Sequence, residues 1–477
     1  MTAVETSLIT NPRKTWPADE RVRAGQLRRR EVPLAGHAAL RPAEHRDPVA
    51  LLEQEEVGRV PELVPIRHGR MLVSPFAFYR GTALLMADDL AAEPNTGIMA
   101  QLCGDAHLVN FGAYASRERS LVFDINDFDE TLPGPFEWDV KRLVASVVVA
   151  GRDNGFKPKA CRRAALAAAS SYRTAMAGFA ALTALDVWHS AINIDQAFAD
   201  YKQTMSDQKQ NRKAMKATRN ALAKARTRDH LQAIRKLTRT IDGHRRIIAA
   251  PPLTVPVDQL PGADRDRSIE LLESLLASYR DTLPDNRRHL LDQFQLADAA
   301  LRVVGVGSVG TRAWILVLEG IHESDGVILQ AKEARASVLA GYWQPSVHNN
   351  QGQRVVAGQR LIQASSDIFL GWVRDERNGE HHDYYLRQLR DWKMSLPIES
   401  MDPQGLTSYA RLCGWTLARA HARSGDRFMI TGYLGNTDEF DQAVVDFAEQ
   451  YADQTERDYA ALVSAVESGR TSAVTGI

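Results

Sequence analysis

The chain has 477 residues, 44% of them hydrophobic, which is enough for a large core, and at roughly 150 residues per domain this length predicts two to four folding units. Lysine plus arginine and aspartate plus glutamate both number 59, so the formal net charge is zero and excludes a global attraction to nucleic acid or to a membrane surface. The three cysteines lack metal-ligand spacing and no apolar run reaches membrane-spanning length, so we expect a cytoplasmic protein in a reducing compartment.

The first 60 residues are rich in charge, proline and alanine and show little periodicity, which predicts a partly irregular N-terminal arm. After it, SPFAFYRGTALLMADDLAA predicts a helix capped at Ser74, because serine accepts from free amides and proline fits the first turn. A buried strand, IMAQLCG, follows, and LVFDINDFDETLPGPFEWD predicts a strand, an acidic loop and a helix that begins near Glu137. Arg80, in FYRG, is a candidate phosphate clamp or an internal salt-bridge partner.

Residues 61–300 are predicted to form a helical unit, since the composition from 155 to 300 favours helices. Within it, residues 202–246 hold fourteen Lys or Arg against three Asp. This basic stretch is consistent with an anion-binding surface and, more simply, with a solvated helical hairpin.

The composition changes at residue 301. LRVVGVGSVGTRAWILVLEG is aliphatic and β-branched on both sides of a glycine cluster, and GVILQAKEA predicts another strand. We therefore expect a small strand-rich unit over 301–400. Helical periodicity returns over 401–477, which predicts C-terminal helices that pack on the larger unit.

Polar residues interrupt the apolar stretch LCGDAHLVNFG, where Asp105, His107 and Asn110 follow the predicted strand. Further along, FDINDFDE adds Asp127 and Asp129. If the two loops are neighbours, one carboxylate can act as a base while Asn110 and the other carboxylates hold Mg²⁺, which takes oxygen ligands together with substrate phosphates. The simpler alternative is that these groups satisfy turn amides.

The pattern GDxHxxN followed by DFD resembles the catalytic and metal loops of small-molecule kinases of the aminoglycoside phosphotransferase and choline kinase type. This resemblance implies Asp105 as the catalytic base, His107 as a residue that shapes the loop, and Asn110 and Asp127 as Mg²⁺ ligands. Asp139 follows Asp127 by twelve residues, where those enzymes carry an aspartate that anchors the structure.

A broader resemblance covers nearly the whole chain from about residue 25. The segments SPFAFYRG, GDAHLVNFG, FDINDFDE and LARAHARSGD together are similar to the uncharacterised bacterial family called domain of unknown function 2252. That resemblance implies no particular substrate.

A glycine motif, GVGSVG, contains Gly305, Gly307 and Gly310. No helix follows it, as a dinucleotide-binding fingerprint requires, and the Lys and Ser/Thr of a P-loop are missing. A glycine-rich turn between strands is what kinases place over ATP phosphates, and Lys332 lies where a kinase strand lysine would contact those phosphates. The simpler readings are a hairpin turn and a surface lysine.

The order of the motifs differs from that of ordinary kinases, in which the glycine loop precedes the catalytic loop. Here it follows by about two hundred residues. The kinase resemblance therefore implies an α+β, two-lobe, protein-kinase-like fold that is circularly permuted, a rearrangement that is tolerated when the original termini are exposed and close. Residues 301–400 would cover the nucleotide, and DYYLRQLRDWK would supply the last strand and the hinge.

The acidic partner that usually orients the strand lysine is missing nearby, because residues 334–366 contain no Asp or Glu. Glu333 should point to the opposite face of the strand from Lys332. Gln353, Gln359 or a distant carboxylate are the remaining candidates. His421, in HARSGD, is interpreted as a structural histidine at a helix end.

These observations predict an ATP- and Mg²⁺-dependent phosphotransferase that acts on a hydroxyl group of a small-molecule acceptor. A nucleotide-binding pseudokinase with a regulatory role and a nucleotidyl (AMP) transferase are the alternatives. The sequence does not specify the acceptor, the oligomeric state or the role of the basic stretch.

Overall fold

The computed structural model describes residues 16–42, 46–196, 230–260, 262, 264–303, 305–322, 325–377, 379–389, 392 and 396–476. It is an α+β protein that consists of a large helical body and a six-stranded antiparallel sheet. Within these residues, no helix combines the length and the apolar character that crossing a membrane requires.

The first part of the chain builds the helical body and three short strand pairings. Its helices are α1 (Ala18–Glu31), α2 (Pro48–Glu56), α3 (Val64–Met71), α4 (Pro75–Tyr79), α5 (Ala83–Ala91), α6 (Phe136–Asp153), α7 (Pro158–Ala181) and α8 (Ala184–His189). Its strands are β1 (Met99–Leu102), β2 (Phe111–Ala115), β3 (Leu121–Ile125), β4 (Leu132–Pro135) and β5 (Ile192–Asn193). Strand β1 pairs with β4, and β3 lies between β2 and β5.

The single helix predicted after Ser74 is divided into two helices in the structure. The Ser74 hydroxyl accepts from the amide of Ala77 and caps α4, as the Ser-Pro pair predicts. Helix α4 ends at Tyr79, and α5 begins at Ala83. Gly81 and Thr82 lie in the break, so the single helix predicted from the composition is interrupted beside the cleft described below.

The second part of the chain contains the sheet and the helices that cover it. These elements are α9 (His230–Leu237), β6 (Thr238–Ile241), β7 (His244–Ile247), β8 (Thr254–Pro256), α10 (Arg265–Arg280), α11 (Asp285–Leu291), β9 (Gln295–Arg302), β10 (Ala313–Glu319), β11 (Gly326–Ala334), α12 (Gln351–Ile362), β12 (Gly371–Arg377) and β13 (Glu380–Gln388). The strand order is β12-β13-β11-β10-β9-β8. The sheet thus begins before residue 301, where the change in composition placed its boundary.

The basic stretch 202–246 lies largely outside the described residues. From residue 230 onward it forms α9 and the β6–β7 hairpin, whereas the composition of residues 155–300 predicted helices. The reason is local: Asp242 and Gly243 both have positive φ, and this pair favours a tight two-residue hairpin turn.

The C-terminal part returns to the helical body with α13 (Pro403–Ser424), α14 (Arg427–Leu434) and α15 (Glu439–Glu467). One hydrophobic core joins residues from Leu34 to Ala452, so helices before and after the sheet in sequence share a single interior. Helices α7 and α13 cross closely at Gly414, where an added Cβ would lie 2.2 Å from the carbonyl oxygen of Ala168.

Helix α12 connects the sheet to the body. The side chain of Asn350 caps it by accepting from the amide of Gln353, and the helix packs on β12, β13 and α13. Arg354, which is buried in α12, donates to the backbone oxygens of Asp129 and Thr131. The acidic loop after β3 is thereby fixed against α12, which packs on β12 and β13.

Candidate functional site

The loop after β1 is held in a tight conformation that aims Asp105 at a cleft. Gly104 has φ +84°, and an added Cβ would lie 2.2 Å from the carbonyl oxygen of Glu130, so glycine is required there. The carboxylate of Asp139, on α6, accepts from the amides of Cys103 at 2.8 Å and Gly104 at 3.1 Å. Asp139 therefore anchors the turn that presents Asp105.

Asp105 is contacted by three side chains. Arg142 Nε donates to its Oδ1 at 2.9 Å, His107 Nε2 lies 3.5 Å from its Oδ2, and Asn110 Nδ2 donates to its backbone oxygen at 2.8 Å. The Asp105 side chain remains 19% exposed, toward a cavity. Burial lowers the pKa of His107 to about 4, so this imidazole is neutral near pH 7. These contacts hold the Asp105 carboxylate in a fixed position, as a catalytic base requires.

A buried histidine supports the anchor. His421, in the last turn of α13, contacts Tyr172 through Nδ1 at 2.8 Å and Asp139 through Nε2 at 3.3 Å. Its ring is buried and does not line the cleft. The structural role expected from the sequence agrees with these contacts.

Oxygen ligands for a cation lie on the wall that contains Asp105. The side chains of Asn110 and Asp127 line the same cavity as Asp105, and Asn110 Nδ2 is bonded to the Asp105 backbone, so its amide oxygen is directed elsewhere. Asp127 is 33% exposed. In the described part of the chain, no group of three or more His, Cys, Asp or Glu side chains could hold a metal. Asn110 and Asp127 are therefore two oxygen donors that could hold a cation only if substrate oxygens completed its shell.

The distant partner of Lys332 is Asp129. Lys332 Nζ, on β11, lies 2.6 Å from Asp129 Oδ2 and 3.6 Å from Asp127 Oδ1. Tyr385 on β13 donates to Asp129 Oδ1 at 2.6 Å, and Ser308 donates to Asp129 Oδ2 at 3.2 Å. Burial alone would lower the pKa of Lys332, but Asp127 and Asp129 raise it above its ordinary value, so the ammonium is charged.

Two residues near Lys332, Glu333 and Gln359, are engaged elsewhere. Glu333 points to the opposite face of β11, as predicted, and binds Arg312 and His382. Gln359 donates to Gln363 at 2.8 Å. Asp129, one of the carboxylates predicted to hold Mg²⁺, is thus also the carboxylate that contacts the lysine of the sheet.

The glycine loop between β9 and β10 is fastened to the helical body. Arg59 Nη1 donates to the carbonyl oxygens of Gly307 and Val309, both at 2.8 Å, and Arg70 donates to Gly305. Gly310 has φ +91°, and its absent side chain leaves room for Arg59. These contacts, together with the bond from Ser308 to Asp129, hold the loop at the cleft.

Two adjacent cavities form the cleft and share Asp127, Gly305 and Ser308. The larger, of about 630 Å³, lies against the sheet and is partly apolar; its walls include Val327, Gln330, Lys332, Phe369, Gln388 and Leu389. The smaller, of about 400 Å³, is lined by Asp105, His107, Asn110, Asp129, Arg59 and Arg80. The cleft therefore joins a partly apolar chamber to a strongly polar one.

The structure brings the predicted residues of both motifs into this cleft. Gly305, Gly307, Lys332, Asp105, His107, Asn110, Asp127 and Asp129 all line it, whereas Gly310 lies against Arg59. Sequence reasoning missed Arg142 and Arg59. Arg142 lies three residues after Asp139 on α6, a spacing that puts both on one helical face and could have revealed it. No local signal points to Arg59.

Comparisons with known proteins give one family. A family model described as an uncharacterized protein conserved in bacteria matches residues 59–465. No curated protein and no solved structure matches the chain at a significant level.

Proposed function

The chain belongs to the bacterial family called domain of unknown function 2252, and on that premise we propose that it is an ATP- and Mg²⁺-dependent phosphotransferase acting on a hydroxyl group of a small-molecule acceptor. The observation that carries this proposal is the contact of Lys332 with Asp129. With the bond from Ser308 to Asp129, it joins the strand lysine and the glycine loop to the acidic loop, which lines the same cavity as Asp105. These are the parts that phosphoryl transfer needs.

The larger cavity suits a nucleotide. Val327 and Phe369 offer apolar surface for a base, and the chain at Gln388 and Leu389 would be the hinge that borders it. The glycine loop would cover the phosphates, and the charged ammonium of Lys332 would contact them.

Asp105 would act in the smaller cavity. It would take the proton of the acceptor hydroxyl as the acceptor oxygen bonds to the γ-phosphorus, while the bond from this phosphorus to the β,γ-bridging oxygen breaks and ADP leaves. Arg142 and Asn110 hold Asp105 in place. Asn110 and Asp127 would hold Mg²⁺, which supplies neutralisation of phosphate charge when bound.

The architecture is compatible with a circularly permuted, two-lobe, kinase-like fold. The sheet of residues 254–388 lies in sequence between helices that share one core, since α7 precedes it and α13 follows it. In this interpretation the sheet is the smaller lobe. A pseudokinase would be favoured if Lys332 lacked an acidic partner, so the ion pair of Lys332 with Asp129 supports the phosphotransferase over this alternative.

Calorimetric titration with ATP, with and without Mg²⁺, tests this proposal. We expect Mg²⁺-dependent binding that Asp127→Asn abolishes and that Asp285→Asn, at a side chain that is 96% exposed on α11, leaves unchanged. Equal binding by the wild-type protein and Asp127→Asn would contradict the metal assignment. Product analysis then separates phosphoryl transfer, which releases ADP, from nucleotidyl transfer, which leaves AMP on the acceptor.

A further inference from the structure

Arg80 lines the smaller, more polar cavity, and its guanidinium has no acceptor among the described residues. It lies between α4 and α5 and lines the wall that also contains Asp105 and His107. Its Nε is buried without a hydrogen-bond partner, and its guanidinium forms no ion pair with any residue that the structure describes. A buried donor without a hydrogen bond raises the free energy of the folded protein. A ligand that accepts a hydrogen bond from it would therefore bind more tightly.

The terminal nitrogens of the other arginines of this cavity are engaged by acceptors of the protein itself. Arg59 donates to two carbonyl oxygens of the glycine loop and to Glu55 at 2.5 Å. Arg335 donates to the carbonyl oxygens of Glu55 and Val57. Among the described residues that line this cavity, Arg80 is thus the arginine whose guanidinium donates to no acceptor of the protein.

The charged neighbours of Arg80 do not neutralise it by direct contact. Asp105 pairs with Arg142, and Glu399 is exposed and attracts Arg80 without forming an ion pair. Burial lowers the pKa of Arg80, and Asp105 and Glu399 oppose this shift. An arginine keeps its charge at neutral pH, so the cavity presents a positive group beside the proposed base.

The N-terminus of α5 opens onto the same cavity. Its capping position is Thr82, whose hydroxyl donates to the carbonyl oxygen of Tyr79 and caps no helix amide. Ala83 and Leu84 line the cavity, and the first turn has no acidic side chain. Free amides and the helix dipole favour an anion at such an end.

We propose that the acceptor of the cleft is a small hydroxyl compound that carries an anionic group, a carboxylate or a phosphate, bound by Arg80 and the N-terminus of α5. This inference rests on the proposed function. The anionic group fixes one end of the acceptor while its hydroxyl faces Asp105. A guanidinium binds either group through two parallel hydrogen bonds, and a cavity of about 400 Å³ accommodates a small metabolite.

Anion titrations of the full chain test the inference. The protein is first saturated with Mg²⁺ and a non-hydrolysable ATP analogue. Inorganic phosphate or acetate is then added, chloride keeps the ionic strength constant, and the melting temperature is recorded. We expect stabilisation by at least one of the two anions, with at least tenfold weaker binding in Arg80→Gln. The comparison of phosphate with acetate distinguishes the two sources of negative charge. Arg235→Gln, at an exposed position on α9, is the charge-matched control.

A second variant and a titration without nucleotide complete the experiment. Arg80→Lys retains the charge without the planar fork, so we expect intermediate anion binding. Equal anion binding in the wild type and Arg80→Gln, or none in the wild type, would overturn the inference, as would loss of nucleotide binding in Arg80→Gln. The titration is also run without nucleotide, which separates the two proposals. If MgATP does not bind, the proposed function fails. In that case a phosphate effect that depends on Arg80 still supports the anion site, and the absence of such an effect overturns the anion site.

Discussion

Lys332 Nζ lies 2.6 Å from Asp129 Oδ2, although the two residues are 203 positions apart in the chain. Lys332 belongs to the sheet, and Asp129 belongs to the acidic loop of the helical body. The hydroxyl of Tyr385 binds the second oxygen of Asp129 at 2.6 Å. This contact fixes the sheet against the loops that carry the proposed base and metal ligands.

We expect Lys332→Met to lower the free energy of unfolding by about 3 kcal/mol, because it leaves Asp129 without its cation in a mostly buried site. Asp129→Asn should also destabilise the protein. The double variant should lose less than the sum of the two single losses, since the two residues interact directly. Urea unfolding of the four proteins measures this coupling, and strictly additive losses would contradict the ion pair.

Asp139 should control the order of the turn before Asp105. Asp139→Leu leaves the amides of Cys103 and Gly104 without an acceptor, which should cost about 3 kcal/mol, because each unsatisfied buried donor costs roughly 1–3 kcal/mol. Asp139→Asn keeps one acceptor oxygen and should be milder. Hydrogen exchange of the peptide that contains residues 103–105 should accelerate in the same order. Unchanged exchange in both variants would show that the turn is held by other contacts.

Arg59 should hold the glycine loop over the nucleotide. In Arg59→Gln the bonds to the carbonyls of Gly307 and Val309 are lost, so we expect faster hydrogen exchange over residues 305–311 and a higher KM for ATP with little change in kcat. Arg335→Gln is the matched control, because Arg335 also donates to backbone carbonyls but outside this loop. Equal effects of the two substitutions would refute a specific role for Arg59.

Stability should fall in mild acid because of His37. Burial, assisted by Lys141, lowers the pKa of His37 from 6.5 to about 3, and its Nε2 contacts the Tyr433 hydroxyl at 2.6 Å. The folded state thus binds the proton more weakly than the unfolded state. The contribution of His37 to the free energy of unfolding is therefore complete above pH 6.5 and is lost as the pH falls toward 3. Between pH 6.5 and 5 the loss should be about 2 kcal/mol.

Urea unfolding at pH 8, 6.5 and 5 measures this dependence. His37→Gln keeps a donor for Tyr433 and should flatten the acid slope. His189→Gln, at an exposed position, should retain the slope of the wild-type protein. An identical slope in His37→Gln would assign the acid sensitivity to other groups.

Local patterns were sufficient to predict much of the fold. The glycine cluster between strands and the Ser-Pro cap at Ser74 each express a rule that acts over a few residues. The β6–β7 hairpin was missed because the basic composition around it favours helix, while its signal is confined to Asp242 and Gly243.

The contacts that complete the site could not be predicted in the same way. Asp129 meets Lys332, and Arg59 meets the glycine loop, across more than two hundred residues of sequence, so only the packing of the sheet on the helical body determines them. The guanidinium of Arg80 is notable because no described residue accepts a hydrogen bond from it. The lack of such an acceptor leaves no signal in a sequence.

Reaction of the protein with an acyl-phosphate derivative of ATP tests the central claim most directly, because this reagent acylates a lysine that lies beside the bound phosphates. Peptide mapping should locate the label on Lys332, and excess MgATP should prevent its attachment. Exposed Lys159 and Lys236 serve as internal references and should show no protection by MgATP. Labelling confined to such exposed lysines, with Lys332 unmodified and no protection by MgATP, would contradict a nucleotide site in this cleft.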